Sequence, residues 1–228
     1  MRDLPASELV PVTSSPATAP TLSRRHTTAR TVSRVPTDAV TLHLVRHGQS
    51  TWNAAGRLQG QTIHPDLTAL GQAQARAAAV EVRRRVTGPV ALWSSDLVRA
   101  TQTATIVAAA LHATVEIDEG LREQGLGALE GQLTRDLRAQ PTPPGRDVAD
   151  VRWGGGESIH DVWVRVGRFL RRELPDAPPH LVLVTHGDTV RVLRAWLLGG
   201  DYRRLDWATP LPNGAVLSLP GPDLERTD

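Results

Sequence analysis

Two apolar runs in this chain end in the same way. Residues 40–45 stop at Arg46-His47-Gly48, and residues 181–184 stop at Thr185-His186-Gly187. A short apolar run that ends at a polar residue and a glycine reads as a buried strand leaving a sheet. In open α/β sheets, ligands bind beyond the carboxyl ends of the strands. Two such strands in one sheet would deliver two imidazoles and a guanidinium to one edge, and this limits the chain to folds with parallel neighbours.

The rest of the pattern agrees. A helix is predicted over 68–86, with Leu70, Ala73, Ala77 and Val80 on one face. A strand follows over 90–93. Asp96 is then placed to cap a helix carrying Leu97, Ala100, Thr101, Ala104, Ala108 and Leu111 at helical spacing. A short strand falls at 114–117, and a Gly/Pro-rich loop with broken helix at 120–156. A further helix spans 157–174 with Ile159, Val162, Trp163, Val166 and Leu170 inward, Glu157 helping to cap it. The helix after residue 184 should stop at Gly199-Gly200, and residues 215–219 form a last strand. Alternating strands and helices give an α/β fold: a single three-layer α/β/α domain around a mostly parallel sheet. We place this domain at 38–220, after a Pro/Ser/Thr/Arg-rich extension (1–37) expected to be disordered, with a short tail at 221–228.

Composition removes several classes of function. The 228 residues include no cysteine, which excludes disulfides and thiolate metal sites. All 26 basic residues are arginine, so a P-loop of the usual form, which needs lysine, is excluded. The isoelectric point is strongly alkaline, yet the formal net charge is only +2. Residues 1–36 carry most of the excess, and the near-neutral remainder is a poor match for a nucleic-acid backbone. No apolar run is long enough to span a bilayer, and no secretory leader is evident. The simplest reading is a cytoplasmic protein with no membrane or nucleic-acid partner and no cofactor; a homodimer is left open.

The candidate chemistry lies at the strand ends. Arg46 and His47 leave the first strand and His186 a later one. Arg99 falls in the first turn of the helix after Ser94-Ser95, where side chains lean back toward the helix N-terminus. Two arginines, two histidines and nearby helix N-termini make an anion site, since guanidinium forks match phosphate oxygens. Glu123, in Leu121-Arg122-Glu123-Gln124-Gly125, would repel an anion there, which points instead to proton transfer. A neutral imidazole can attack phosphorus, and the arginines can stabilise the transferring oxygens.

At this point the chain resembles the histidine phosphatase superfamily, in its phosphoglycerate mutase-like branch. The segment Leu44-Val45-Arg46-His47-Gly48-Gln49-Ser50-Thr51-Trp52-Asn53 is similar to that family's signature. So are Leu67-Thr68-Ala69-Leu70-Gly71, Ser94-Ser95-Asp96-Leu97-Val98-Arg99-Ala100-Thr101, Leu121-Arg122-Glu123, Gly155-Gly156-Glu157-Ser158, Val184-Thr185-His186-Gly187 and Pro212-Asn213-Gly214. The resemblance implies that His47 is the nucleophile that becomes phosphohistidine. Arg46, Arg99 and His186 would then grip the phosphoryl group, and Glu123 would protonate the leaving oxygen and later activate water. Asn53, Gln59 and Gly60 would line the substrate end, and no metal is implied.

Three functional readings follow. The preferred one is a phosphomonoesterase acting on a small phosphorylated metabolite. The second is a 2,3-bisphosphoglycerate-dependent phosphoglycerate mutase, against which stand the short Pro/Gly-rich stretch between Glu123 and His186 and an acid motif unlike that of mutases. The third is a phospho-ligand-binding protein without turnover. Arg122, Arg135, Arg138, Arg146 and Arg152 could add a second anion contact. His43 reads as a packed core histidine, His64, His112, His160 and His180 as surface or structural, and the tryptophans mainly as core.

Overall fold

The computed structural model describes residues 40–138 and 140–222. The predicted extension at 1–37 and most of the tail at 221–228 lie outside them. Strand β1 (Thr41–Arg46) leads through a four-residue turn of helix, α1 (Thr51–Ala54), to α2 (Ala69–Arg85), β2 (Val90–Ser94), α3 (Val98–Leu111) and β3 (Val115–Ile117). After a long irregular segment come α4 (Ile159–Glu173), β4 (His180–Thr185), α5 (Gly187–Leu197) and β5 (Val216–Pro220). The five strands form one sheet in the order β3-β2-β4-β1-β5. All neighbours are parallel except β5, which runs antiparallel to β1.

Helices cover both faces, as an α/β sheet buried on both sides requires. Leu42, Leu44, Leu181 and Leu183 pack under α4 and α5 with Val162, Val166, Leu170 and Leu193. Val45, Val182 and Val184 pack on the other face against Ala78, Val82, Ala100 and Ala104. Alternation along each strand therefore decides which helix layer a side chain meets.

Several local expectations need correction. Leu70, Ala73, Ala77 and Val80 face solvent; Gly71, Ala75, Ala78, Ala79 and Val82 face the sheet. The helix carries alanine around most of its girth, so periodicity alone does not separate the two faces. Asp96 does not cap α3; the flanking residue is Leu97, without a side-chain cap. Asp96 instead accepts both fork nitrogens of Arg122. The N-cap of α4 is Ser158, in a reciprocal capping box with Asp161, rather than Glu157. The 120–156 loop does carry broken helix, as expected: its described residues include five short 3₁₀ turns, from Glu119–Leu121 to Trp153–Gly155. Of the tryptophans, Trp196 is buried, but Trp207 is exposed and Trp153 is only half-buried.

His43 is buried as expected, and its partner is unforeseen. Its Nε2 lies 3.2 Å from Nδ1 of His180, and its Nδ1 lies 2.8 Å from Ser218 Oγ. The Thr87 amide donates to His180 Nε2. That lone pair is thus in use, so His180 Nδ1–H donates to His43, whose own Nδ1–H donates to Ser218. The pair sits where β4 begins, at the end of the sheet away from the strand termini that carry His47 and His186.

Candidate active site

Strand pairing brings the two histidines together. In the parallel register of β1 and β4, Arg46 is opposite Thr185, so the next residue of each strand, His47 and His186, leaves the sheet side by side. The ring centroids are 5.0 Å apart, edge to face. The His47 amide continues the ladder, donating to Thr185 O at 2.9 Å. The Pro212-Asn213-Gly214 turn clamps the same strand end: the Gly214 amide donates to the Arg46 and His47 carbonyls, and Asn213 Nδ2 to the His47 carbonyl.

The backbone after His47 is held by contact with α2. A Cβ at Gly48 would stand 2.2 Å from the Gly71 carbonyl oxygen, and one at Gly71 would stand 2.0 Å from the Gln49 carbonyl oxygen. Only two glycines allow this approach. Gly48 N–H also donates to Thr103 Oγ1, which itself donates to the Arg99 carbonyl. The turn that carries His47 and the helix that carries Arg99 are thereby hydrogen-bonded to each other.

His47 is buried, and its Nδ1 lies 2.6 Å from the Gly48 carbonyl. A carbonyl only accepts, so Nδ1 carries the proton and the neutral ring leaves its Nε2 lone pair free. Burial, with the charges of Arg99 and Arg46 behind it, pushes the His47 imidazole well below its usual range despite the opposing Gly48 bond. The ring is therefore neutral at physiological pH. His186 is pushed down for the same main reason, burial, with Arg99 and His47 adding to it.

Arg99 has no solvent exposure. Its terminal nitrogens donate to the Thr62 carbonyl at 2.9 Å and the Gly60 carbonyl at 2.8 Å. Burial lowers its pKa to about 10, partly opposed by Glu123 and Glu130, so it remains a cation. Arg46 donates through Nη1 to the Leu211 carbonyl. Among the described residues, Arg46 Nε, Arg99 Nε and both ring nitrogens of His186 are buried without a hydrogen-bond partner. Leaving such groups unpaired is costly, of the order of 1–3 kcal/mol each. Four of them at one strand edge are placed where oxygen atoms of an anion could pair with them.

Glu123 reaches this edge from the irregular segment. Its carboxylate takes weak bonds from the Asp188 and Thr189 amides, at 3.3 and 3.2 Å, in the first turn of α5. Its backbone carbonyl accepts from Gln61 Nε2 and Arg165 Nη2. Arg165 and Gln61 are in turn held by Glu157. Glu157 thus belongs to the platform beneath Glu123, a role that helix-capping rules could not reveal.

Arg46, His47, Asn53, Gln59, Gly60, Arg99 and Glu123 line one cavity of about 260 Å³. His186 lies behind it, against His47. Gln59 is fixed by Ser50 Oγ at 2.6 Å, and Asn53 by the Ser50 amide and Asn213. Gly60 contributes its carbonyl to Arg99, and its φ of 48° suits glycine. Arg57, Asp188 and Arg191 line the cavity too, and sequence reading missed all three. The His-Gly-Asp-Thr continuation of β4 was the available signal for Asp188; Arg57 and Arg191 had none beyond being arginines. Asp188 is pushed up to about 7, mainly by burial and then by the Glu123 charge. The proposed arginine cluster separates: Arg122 is engaged by Asp96 and Glu119, and Arg152 by Asp161. Among the described residues, no group of three or more His, Asp or Glu side chains is placed to hold a metal ion. No helix among them is long and apolar enough to cross a membrane.

The fold and edge define an α/β protein with a pocket lined by histidine and arginine at the carboxyl ends of its central strands. A model of the histidine phosphatase superfamily (branch 1) matches residues 42–221, and the chain belongs to that superfamily. It is 38% identical over 164 residues to the probable phosphoglycerate mutase GpmB of Enterobacter sp. (strain 638), a match that covers 69% of this chain and 74% of that one. Among solved structures, a mycobacterial glucosyl-3-phosphoglycerate phosphatase in complex with VO3 is 32% identical, with a TM-score of 0.66 over 78% of this chain and 90% of its own. A Thermus thermophilus protein, TTHB049, is 33% identical, with a TM-score of 0.58 over 79% and 93% of the two chains.

Proposed function

We propose that this protein is a phosphomonoesterase that works through a phosphohistidine on His47. The observation that carries the reading is the cradle of unpartnered buried nitrogens, from Arg46, Arg99 and His186, around a histidine whose tautomer leaves Nε2 free. Nε2 attacks phosphorus in line, the N–P bond forms and the ester P–O bond breaks. The leaving oxygen takes a proton from the Glu123 carboxyl group. The ring becomes cationic, and its Nδ1–H keeps the Gly48 carbonyl as acceptor. In the second half Glu123 removes a proton from water, the water oxygen attacks phosphorus, and His47 leaves neutral. Positive charge for the transferring oxygens comes from the guanidinium groups of Arg46 and Arg99 rather than from a metal, and the His186 N–H adds a hydrogen bond. The setting we assign is cytoplasmic, the substrate a small phosphate ester, and nucleic acid and membrane are not partners.

The relatives named probable phosphoglycerate mutases support a second reading, in which the phosphoryl group returns to another hydroxyl. The phosphatase named among the solved structures supports hydrolysis. One assay separates them: incubation with 3-phosphoglycerate and 2,3-bisphosphoglycerate, alongside p-nitrophenyl phosphate. Phosphate release supports hydrolysis, and rapid isomerisation without release supports the mutase. Binding of phosphate esters with no turnover across a panel supports the non-catalytic reading.

A further inference from the structure

The catalytic cavity opens onto a larger one. This second cavity, of about 590 Å³, shares Leu58, Leu126 and Asp188 with the first. Its other walls include Leu129, Leu137 and Trp153. Gln132 and Gln140 line it as well, but the greater part of its surface is apolar, from four leucines and a tryptophan ring, and that part gains most from covering by apolar groups. The walls are braced against each other. A Cβ at Gly127 would stand 2.2 Å from the Gly154 carbonyl oxygen, and one at Gly154 would stand 2.2 Å from the Leu126 carbonyl oxygen. Both glycines have positive φ, 51° and 62°. The turn bearing Leu126 and Leu129 and the turn bearing Trp153 therefore meet backbone to backbone, and the cavity is preformed.

The charge distribution excludes some occupants. Asp136 and Asp188 line this cavity, against the single cation Arg138. The other guanidinium groups nearby, Arg46, Arg57, Arg99 and Arg191, line the catalytic cavity. An acidic tail extending from a phosphoryl group on His47 would pass the Asp188 side chain and find little compensation beyond it.

We propose that the second cavity receives the alcohol portion of the substrate, and that this portion is apolar and uncharged, of the size of an aryl or branched alkyl group. The proposal rests on the phosphatase reading above. It makes Leu126, Leu129, Leu137 and Trp153 determinants of specificity and Asp188 the residue that discriminates against carboxylate-bearing esters.

The test is a set of alkyl monophosphates with leaving groups of similar acidity: ethyl, butyl and 3-phenylpropyl phosphate, with 3-phosphoglycerate as the acidic comparison. We expect kcat/KM to rise at least about 10-fold from ethyl to 3-phenylpropyl phosphate, with 3-phosphoglycerate below butyl phosphate. In Trp153→Ala and Leu137→Ser the 3-phenylpropyl to ethyl ratio should fall toward one. A flat series in a protein that hydrolyses ethyl phosphate, or a preference for 3-phosphoglycerate, overturns the cavity assignment and leaves the phosphatase reading standing. No phosphate release from any ester overturns both.

Discussion

His47 and His186 face each other across 5.0 Å because the strands that end in them are paired in register, Arg46 beside Thr185. Neither histidine is positioned by a flexible loop. Each is the residue after the last rung of a buried parallel ladder, so the spacing of the two rings is as rigid as the sheet. What binds between Arg46, Arg99 and the rings meets a site that needs little rearrangement.

The first consequence concerns the turn after His47. Because a Gly48 Cβ would sit 2.2 Å from the Gly71 carbonyl oxygen, Gly48→Ala must push the turn away from α2. Overpacking of this kind costs roughly 1–3 kcal/mol. We expect a lowered Tm and a loss of phosphatase activity larger than the stability loss explains, measured at a temperature where the variant is folded. Wild-type activity in a folded Gly48→Ala would contradict this account of the turn.

Asp188 gives a pH dependence. With its pKa pushed up to about 7, it is largely uncharged below that pH and anionic above it. The anionic form adds negative charge beside Arg46, His47 and Arg99, where we propose the phosphoryl group binds. kcat/KM should therefore fall as pH rises through about 7, and Asp188→Asn should remove that step. A step that persists in the variant belongs to another group.

Glu157 positions Glu123 without touching the cradle. It holds Arg165 through two bonds, at 3.0 and 3.1 Å, and Arg165 holds the Glu123 carbonyl at 2.9 Å. Glu157→Ala should lower kcat by roughly 10- to 100-fold with little change in KM, since supporting-shell losses are of that order. Glu157→Gln should recover part of it. An equal rise in KM would point to general disruption of the pocket.

Acid stability tests the His43–His180 pair, in which His43 is buried. Burial pushes His43 down from 6.5 to about 4. Between those values the unfolded chain binds a proton that the native state refuses, so stability is lost as pH falls through this window and is unaffected above it. His47 and His186 contribute with the same sign. His43→Gln keeps a hydrogen-bonding side chain and removes one titration, so the slope of unfolding free energy against pH should drop by up to about 1.4 kcal/mol per unit in the window. An unchanged slope, from urea unfolding between about pH 4.5 and 6.5, would contradict it.

Much of the fold was legible because strands and helices alternate and the strands are continuous apolar runs. The candidate-site residues that leave strand ends or a first helical turn, Arg46, His47, Arg99 and His186, were legible for the same reason: local pattern sets their direction. The inward face of α2 was not, because alanine on all sides gives periodicity nothing to distinguish. Glu157 and Asp188 were not, because their roles depend on Glu123, which Asp188 meets directly and Glu157 reaches through Arg165 and Gln61, across long stretches of chain. The apolar cavity was invisible because Leu58 and separate turns of a Gly/Pro-rich segment with no hydrophobic period come together to wall it.

The most direct test of the central claim is to trap the intermediate. The protein is mixed with a slowly hydrolysed phosphate ester, quenched in alkali, which spares phosphohistidine, and mapped by mass spectrometry. A phosphoryl group on His47 that accumulates in Glu123→Gln and is absent in His47→Ala is the predicted result. Undiminished turnover by His47→Ala, or a phosphoryl group carried on another residue, would contradict it.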